Sequence, residues 1–192
     1  MKLHLALLAA LPLTSCTMLE AYVPGGGDLD QTAAVTFGQR VFDHSSAACL
    51  DEQPNVGLEY AIWREDGLFG YEFGVNHHTE RGTLPTVGNT RVQGWEATAG
   101  LRSVFPIEGS PITPYVGLGI GGYWADRDEE VASFRDGSET GFEAYGRIGA
   151  TMPVSENSFI GIDVRFIQED FAQAGDLDLD GDVVSLIFGL SF

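Results

Sequence analysis

Asp176-Leu177-Asp178-Leu179-Asp180-Gly181-Asp182 sets four carboxylates at alternate positions with a glycine among them. That spacing can wrap a hard cation such as Ca²⁺ or Mg²⁺. The twelfth position of such a loop would be Ile187, not Glu, and it falls in a strand-like stretch. The plain reading is an acidic loop leading into a strand; weak divalent binding is the sharper one. His77 and His78 are adjacent, so on a strand they face opposite ways and cannot chelate one ion together. They read as polar residues at a loop edge. No Ser/His/Asp set, nucleotide loop or zinc spacing is present. The expectation is therefore no catalytic residue and no cofactor beyond weak Ca²⁺ or Mg²⁺. The remaining candidates are nine charges spread along the chain: Arg40, Glu59, Glu72, Glu96, Arg102, Glu143, Arg147, Asp163 and Arg165. What they do depends on the elements that carry them.

The closing stretch sets the pattern for those elements. Val184, Leu186, Phe188, Leu190 and Phe192 alternate with Val183, Ser185, Ile187, Gly189 and Ser191. Strict alternation is the period of a strand. Ten residues at about 3.4 Å each, tilted by about 40°, rise roughly 26 Å, close to the apolar band of a membrane barrel. Seven further strands read the same way: 32–42, 56–64, 68–77, 92–104, 113–124, 141–152 and 158–168. Three joints between them are short: Glu65-Asp66-Gly67, the Pro/Gly/Ser stretch Pro106–Pro111, and Pro153–Asn157. The other four gaps, 43–55, 78–91, 125–140 and 169–182, are long and read as acidic outer loops. Alternating short and long joints are what an up-and-down barrel requires, with both termini at the short-turn end. A Greek-key sandwich has no such rhythm.

Parity then sorts the chemistry. One face collects Phe69, Tyr71, Phe73 and Val75; Trp95, Ala97, Ala99 and Leu101; Val116, Leu118 and Ile120; and Ile160, Ile162, Val164 and Phe166. The other face collects all nine charges, five acidic and four basic, with many glycines. On a lipid-facing surface each Arg near the midplane would cost about 2–4 kcal/mol. Enclosed in an eight-stranded lumen, which side chains just fill, the charges can pair while glycines make room for them. A soluble barrel would reverse these faces. The predicted fold is all-β: an eight-stranded antiparallel up-and-down transmembrane β-barrel. Its lumen would be filled by a charge network.

Composition and the N-terminus fit this fold. The chain of 192 residues carries 28 acids against 10 bases, a net charge of -18 at pH 7. Such a chain is a poor nucleic-acid binder. No apolar run after the first residues approaches the length of a membrane helix. Lys2, the apolar stretch Leu3–Leu13 and the small residues after it read as an export signal over 1–15. Residues 16–31, with Gly25-Gly26-Gly27, read as an anchor and flexible linker. The barrel would occupy 32–192. With Cys16 acylated or removed, Cys49 is left alone and no internal disulfide forms.

Three resemblances add to this. Leu13-Thr14-Ser15-Cys16 resembles the bacterial lipoprotein box, which implies lipidation of Cys16; Thr17 after it implies passage to the outer membrane. The stretch Pro114-Tyr115-Val116-Gly117-Leu118-Gly119-Ile120-Gly121 and the terminal Phe192 resemble the small outer-membrane β-barrel family of the OmpA, OmpX and Ail types. That resemblance implies a bacterial outer-membrane location, with outer-membrane lipid, lipopolysaccharide and the barrel-assembly machinery as partners. Phe192 would be the assembly signal. It also implies a structural, adhesive or host-interacting role, through loops whose partner the residues leave open. His44 and Ser46 resemble the His-x-Ser pair of outer-membrane lipid A deacylases, which makes a lipid-modifying enzyme the alternative. A soluble lipocalin-type lipoprotein is the third possibility.

Overall fold

The computed structural model describes residues 28–42, 52–65, 67–84, 88–129, 137–168 and 181–192. Eight strands form one closed barrel in sequence order: β1 Leu29–Phe42, β2 Glu52–Arg64, β3 Gly70–Leu84, β4 Gly88–Val104, β5 Thr113–Glu129, β6 Gly137–Ser155, β7 Ser158–Gln168 and β8 Gly181–Ser191. Every neighbouring pair is antiparallel, and β1 meets β8 from Thr32↔Ser191 to Phe42↔Gly181. Closure leaves no sheet edge in the barrel body, the condition for strands to stand in lipid.

Alternation decides which way each side chain points. Large apolar residues face out: Ile120 is 69% exposed and Leu118 64%. Arg40 and Glu96 point inward and are 0% exposed. Val184, Leu186, Phe188 and Leu190 of β8 all lie on the outer face, half exposed. Little apolar surface is left for the interior, where Tyr145, Ile167 and Val183 form a small buried cluster.

The strands run further than the apolar pattern predicts. β3 continues past His77 to Leu84 and β4 begins at Gly88, so the expected long gap at 78–91 is largely hairpin, paired to Leu84↔Gly88. β5 and β6 likewise pair up to Arg127↔Gly137. About 9–11 residues suffice for a strand to cross, and β4, β5 and β6 have 17, 17 and 19. The surplus segments are polar on both faces, which is why the apolar alternation stops before the strand does. By contrast β7 and β8 have 11 residues each. β3–β6 therefore rise as a wall on one side. Among the described residues, Thr79–Leu84 and Gly137–Glu143 are laddered on one side only.

Two smaller differences concern the turn end. β1 starts at Leu29, inside the expected linker 16–31, because Leu29↔Arg64 extends the β1–β2 ladder. Leu68 and Phe69 belong to the β2–β3 turn, where the Gly67 N–H donates to Arg64 O at 2.8 Å. In the β4–β5 turn Gly109 takes φ 77°, the left-handed region glycine favours. Cys16, His44, Ser46 and Cys49 lie outside the described residues.

Candidate functional site

The lumen is where the chain concentrates its chemistry, and two neighbouring strands show how it is built. On β5, Tyr115, Gly117, Gly119 and Gly121 point inward; on β6, Glu143, Tyr145, Arg147 and Gly149 do. The register sets Gly117 opposite Arg147, Gly119 opposite Tyr145, Gly121 opposite Glu143 and Tyr115 opposite Gly149. Each large side chain thus lies over a glycine. A Cβ at Gly117 would sit 2.8 Å from Arg147 Cγ and 3.0 Å from Glu72 Oε1. At Gly119 it would meet Tyr145 Oη at 2.6 Å, and at Gly121 Glu143 Oε1 at 2.7 Å. At Gly149 it would run into the Tyr115 ring. The Tyr-x-Gly-x-Gly-x-Gly spacing is a mould for the strand beside it.

Nearer the turn end a first ionic layer gathers Glu59, Glu72, Arg102, Arg147 and Asp163. Arg147 is its hub: Nε donates to Asp163 Oδ2 at 2.9 Å, Nη2 lies 3.0 Å from Glu59 Oε1, and Nη1 reaches Glu72 Oε2 at 3.5 Å. Arg102 Nε donates to Glu72 Oε2 at 2.7 Å, and its Nη2 lies 3.2 Å from Glu59 Oε2. Two tyrosines complete the layer. Tyr115 Oη donates to Asp163 at 2.8 Å, and Tyr145 Oη to Glu72 at 2.7 Å. The Arg102 guanidinium stacks 4.4 Å from the Tyr115 ring centroid. Charge-assisted bonds of this kind are the strong ones, provided every lone pair is served.

Towards the far end a second layer is centred on Glu96. Arg40 bonds one of its oxygens, and Arg165 Nη2 donates to the other at 2.5 Å. Arg147 and Arg165 are Cα partners across β6 and β7. Like charges placed so are unfavourable, and the two guanidiniums turn apart, one to each layer. Glu143 is buried too, so all nine sequence-predicted charges face the lumen, Glu59 being the most accessible of them.

Other expectations are revised. His78 is not a loop-edge residue: it is buried in β3, its Nδ1 2.5 Å from Gln53 Oε1. His77 faces outward and packs against Trp95 with ring centroids 4.5 Å apart and planes tilted by 54°, and Trp95 in turn stacks on Trp124. Of the proposed cation set, Asp176, Asp178 and Asp180 lie outside the described residues. Asp182 is on β8, opposite Phe166 of β7 and Val41 of β1, rather than in a loop. Among the described residues no three His, Cys, Asp or Glu side chains are grouped to hold a metal. The 78–91 connection is not acidic, carrying Glu80 against Arg81 and Arg91.

Tyr115, Tyr145, Gln53 and His78 were missed as lumen residues. Parity held the signal for both tyrosines, since each shares a face with Arg147 or its opposing glycines. Tyr115→Phe removes one donor to Asp163. We expect a loss of about 1–3 kcal/mol in urea unfolding of the detergent-folded barrel; an unchanged midpoint would contradict the bond. A cavity of ≈ 510 Å³ at the turn end reaches this layer through Arg102 and Tyr115, with Phe192 at its rim.

A model of the outer membrane protein beta-barrel domain matches residues 5–192. The chain belongs to this family. It is a protein of the bacterial outer membrane. No curated protein sequence matches the chain. Solved outer-membrane barrels share its fold. Neisserial surface protein A has a TM-score of 0.57 at 14% identity, covering 87% of this chain and 98% of that one. Ail, the attachment invasion locus protein of Yersinia pestis, has been solved with the heparin analogue sucrose octasulfate. It has a TM-score of 0.56 at 13% identity, covering 87% of this chain and all (100%) of that one. The N-terminal barrel domain of Pseudomonas aeruginosa OprF has a TM-score of 0.55 at 14% identity, covering 88% of this chain and 100% of that one. At such identities the likeness concerns the barrel, not what its loops bind.

Proposed function

We propose that this outer-membrane barrel is non-enzymatic and has a closed lumen. Its role is structural or surface-interacting, played out on its outer end. The observation that carries the reading is the use made of the lumen arginines. Arg40, Arg102, Arg147 and Arg165 are each held by a buried carboxylate, in two layers stacked along the axis. Side chains packed in this way leave a solute no free path and a substrate no free base. Planar-bilayer recordings of the folded protein should give no stable porin-sized steps. Such steps would overturn the closed lumen.

What the protein meets is then a matter of its outer surface. The connections 43–51, 130–136 and 169–180 carry nine acids and one Arg. These acidic loops would draw Mg²⁺ or Ca²⁺ to bridge them to lipopolysaccharide phosphates, with Asp176, Asp178 and Asp180 of the last loop as candidate ligands. The Yersinia protein was solved with a sulfated polyanion; the charge here has the opposite requirement, a cationic or cation-bridged partner. The laddered wall of β3–β6 gives such a partner a rigid platform. Acylation of Cys16 would tether the chain, and the closing strand with Phe192 would engage the assembly machinery.

A further inference from the structure

Below the first ionic layer, towards the turn end, the inward parity continues with a different chemistry. Register sets Asp30 of β1 opposite Trp63 of β2, Thr32 of β1 opposite Ser191 of β8, and Thr113 of β5 opposite Thr151 of β6. All six line the cavity of ≈ 510 Å³ at this end. Its volume falls in the range of about 300–1,000 Å³ common for small-ligand sites. Each pair belongs to a hydrogen-bonded ladder, so the lining is formed before a ligand arrives. Trp63 is half-buried and gives the wall a large, flat apolar face.

Among the described residues three charged side chains line the cavity: Asp30 and Glu156, both exposed, and the buried Arg102. Arg102 commits Nε to Glu72 and Nη2 to Glu59, which leaves Nη1 for the cavity. These charges select by sign. An anion must pass Asp30 and Glu156, and a cation that passes them meets Arg102; like charges brought together are penalised. A neutral polyhydroxyl ligand meets neither penalty. Its hydroxyls can donate to Asp30, accept from Arg102, and do either with Thr32, Thr113, Thr151 and Ser191. The C–H face of its ring can lie on Trp63. A flat aromatic, a carboxylate, a guanidinium and several hydroxyls around one cavity complement a sugar ring.

We propose that the turn-end mouth of the barrel binds a neutral saccharide, with Trp63 as its stacking face and Asp30 and Arg102 as its polar anchors. The short turns of an outer-membrane barrel face the periplasm. The sugar therefore comes from that side, as a free disaccharide or as the end of a glycan strand. The site is at the opposite end from the surface role proposed above and goes beyond it.

The test uses the full barrel, isotope-labelled and folded in a zwitterionic detergent that carries no sugar headgroup. Maltose and N,N′-diacetylchitobiose are titrated in separately, and the indole and methyl signals are followed by NMR. At least one disaccharide should shift the Trp63 indole and the Thr151 methyl saturably, while the Trp95 and Trp124 indoles stay in place. Trp63→Ala should abolish the Thr151 shift. Val104→Trp fills the cavity from another wall and should abolish binding too; heat-modifiable gel mobility shows that each variant is folded. No saturable shift with either disaccharide would overturn the proposal. So would a shift that persists in both variants, or one produced by choline or phosphate and by neither sugar. Cosedimentation with insoluble cell-wall sacculi separates the two sources. Pelleting that Val104→Trp abolishes supports a glycan strand, and disaccharide binding without pelleting supports a free sugar. Bilayer recordings test the closed lumen independently, because the site lies outside the ionic layers.

Discussion

Replacing Arg147 with methionine should lower the unfolding free energy by about 3–5 kcal/mol, the range for removing one partner of a buried ionic group. The size follows from what stays behind. Arg147 is in contact with Glu59, Asp163 and Glu72, and it donates to Tyr115 Oη at 3.3 Å. Without it three carboxylates share the layer with Arg102 alone, and Arg102 reaches only Glu59 and Glu72. Asp163 would keep Tyr115 as its remaining donor. Urea titration of the refolded barrel, followed by tryptophan emission and by gel mobility before and after heating, measures the loss. The double variant Arg147→Met with Asp163→Asn should lose less than the sum of the two single changes, because residues in one network are not additive. A single-variant loss below about 1 kcal/mol would mean that water reaches the layer and the lumen is not closed there.

Much of this architecture was legible in the residues. Period-two alternation survives wherever one face meets lipid, so β7 could be placed to the residue and β8 nearly so. The same alternation assigns Arg40, Glu96, Arg147 and Asp163 to the interior, because a charge on the other parity has nowhere to go in a bilayer. Where the strands leave the membrane the signal fades. His78, Thr79 and Glu80, or Gly88 and Asn89, are polar on both faces, and nothing in their types separates a strand from a loop. Only pairing reveals it, and pairing is a property of two segments. Partner choice was equally hidden. Parity placed Arg165 and Arg147 on one face, but not that they would be Cα partners turned to different carboxylates. Sequence shows only that the glycines of β5 make room for long side chains in general; register determines which side chain each one accommodates.

The orientation of the two faces can be tested with one residue. Leu118→Arg should destabilise the barrel by about 2–4 kcal/mol, the cost of an arginine near the bilayer midplane. Leu118 lies mid-strand on β5, on the outer face, with Gly146 of β6 and Leu101 of β4 as its cross-strand partners. Neither partner carries a charge, so the guanidinium would be left facing acyl chains. The control is Gln39→Arg, on the outward parity of β1 but near its end, where Gln39 Nε2 donates to Glu52 at 2.5 Å. An arginine there can reach water and a carboxylate, and depth-dependent cost falls to about 0–1 kcal/mol near the interface. A water-soluble barrel makes the opposite prediction. An exposed leucine replaced by arginine in water is close to neutral, and the two variants would then unfold alike. Only a surface lying in hydrocarbon separates them, and it does so by depth, although both side chains point away from the barrel axis. Refolding both variants into lipid vesicles and comparing urea midpoints with the wild type gives the difference directly. Equal midpoints would mean that the apolar band of β5 does not face lipid.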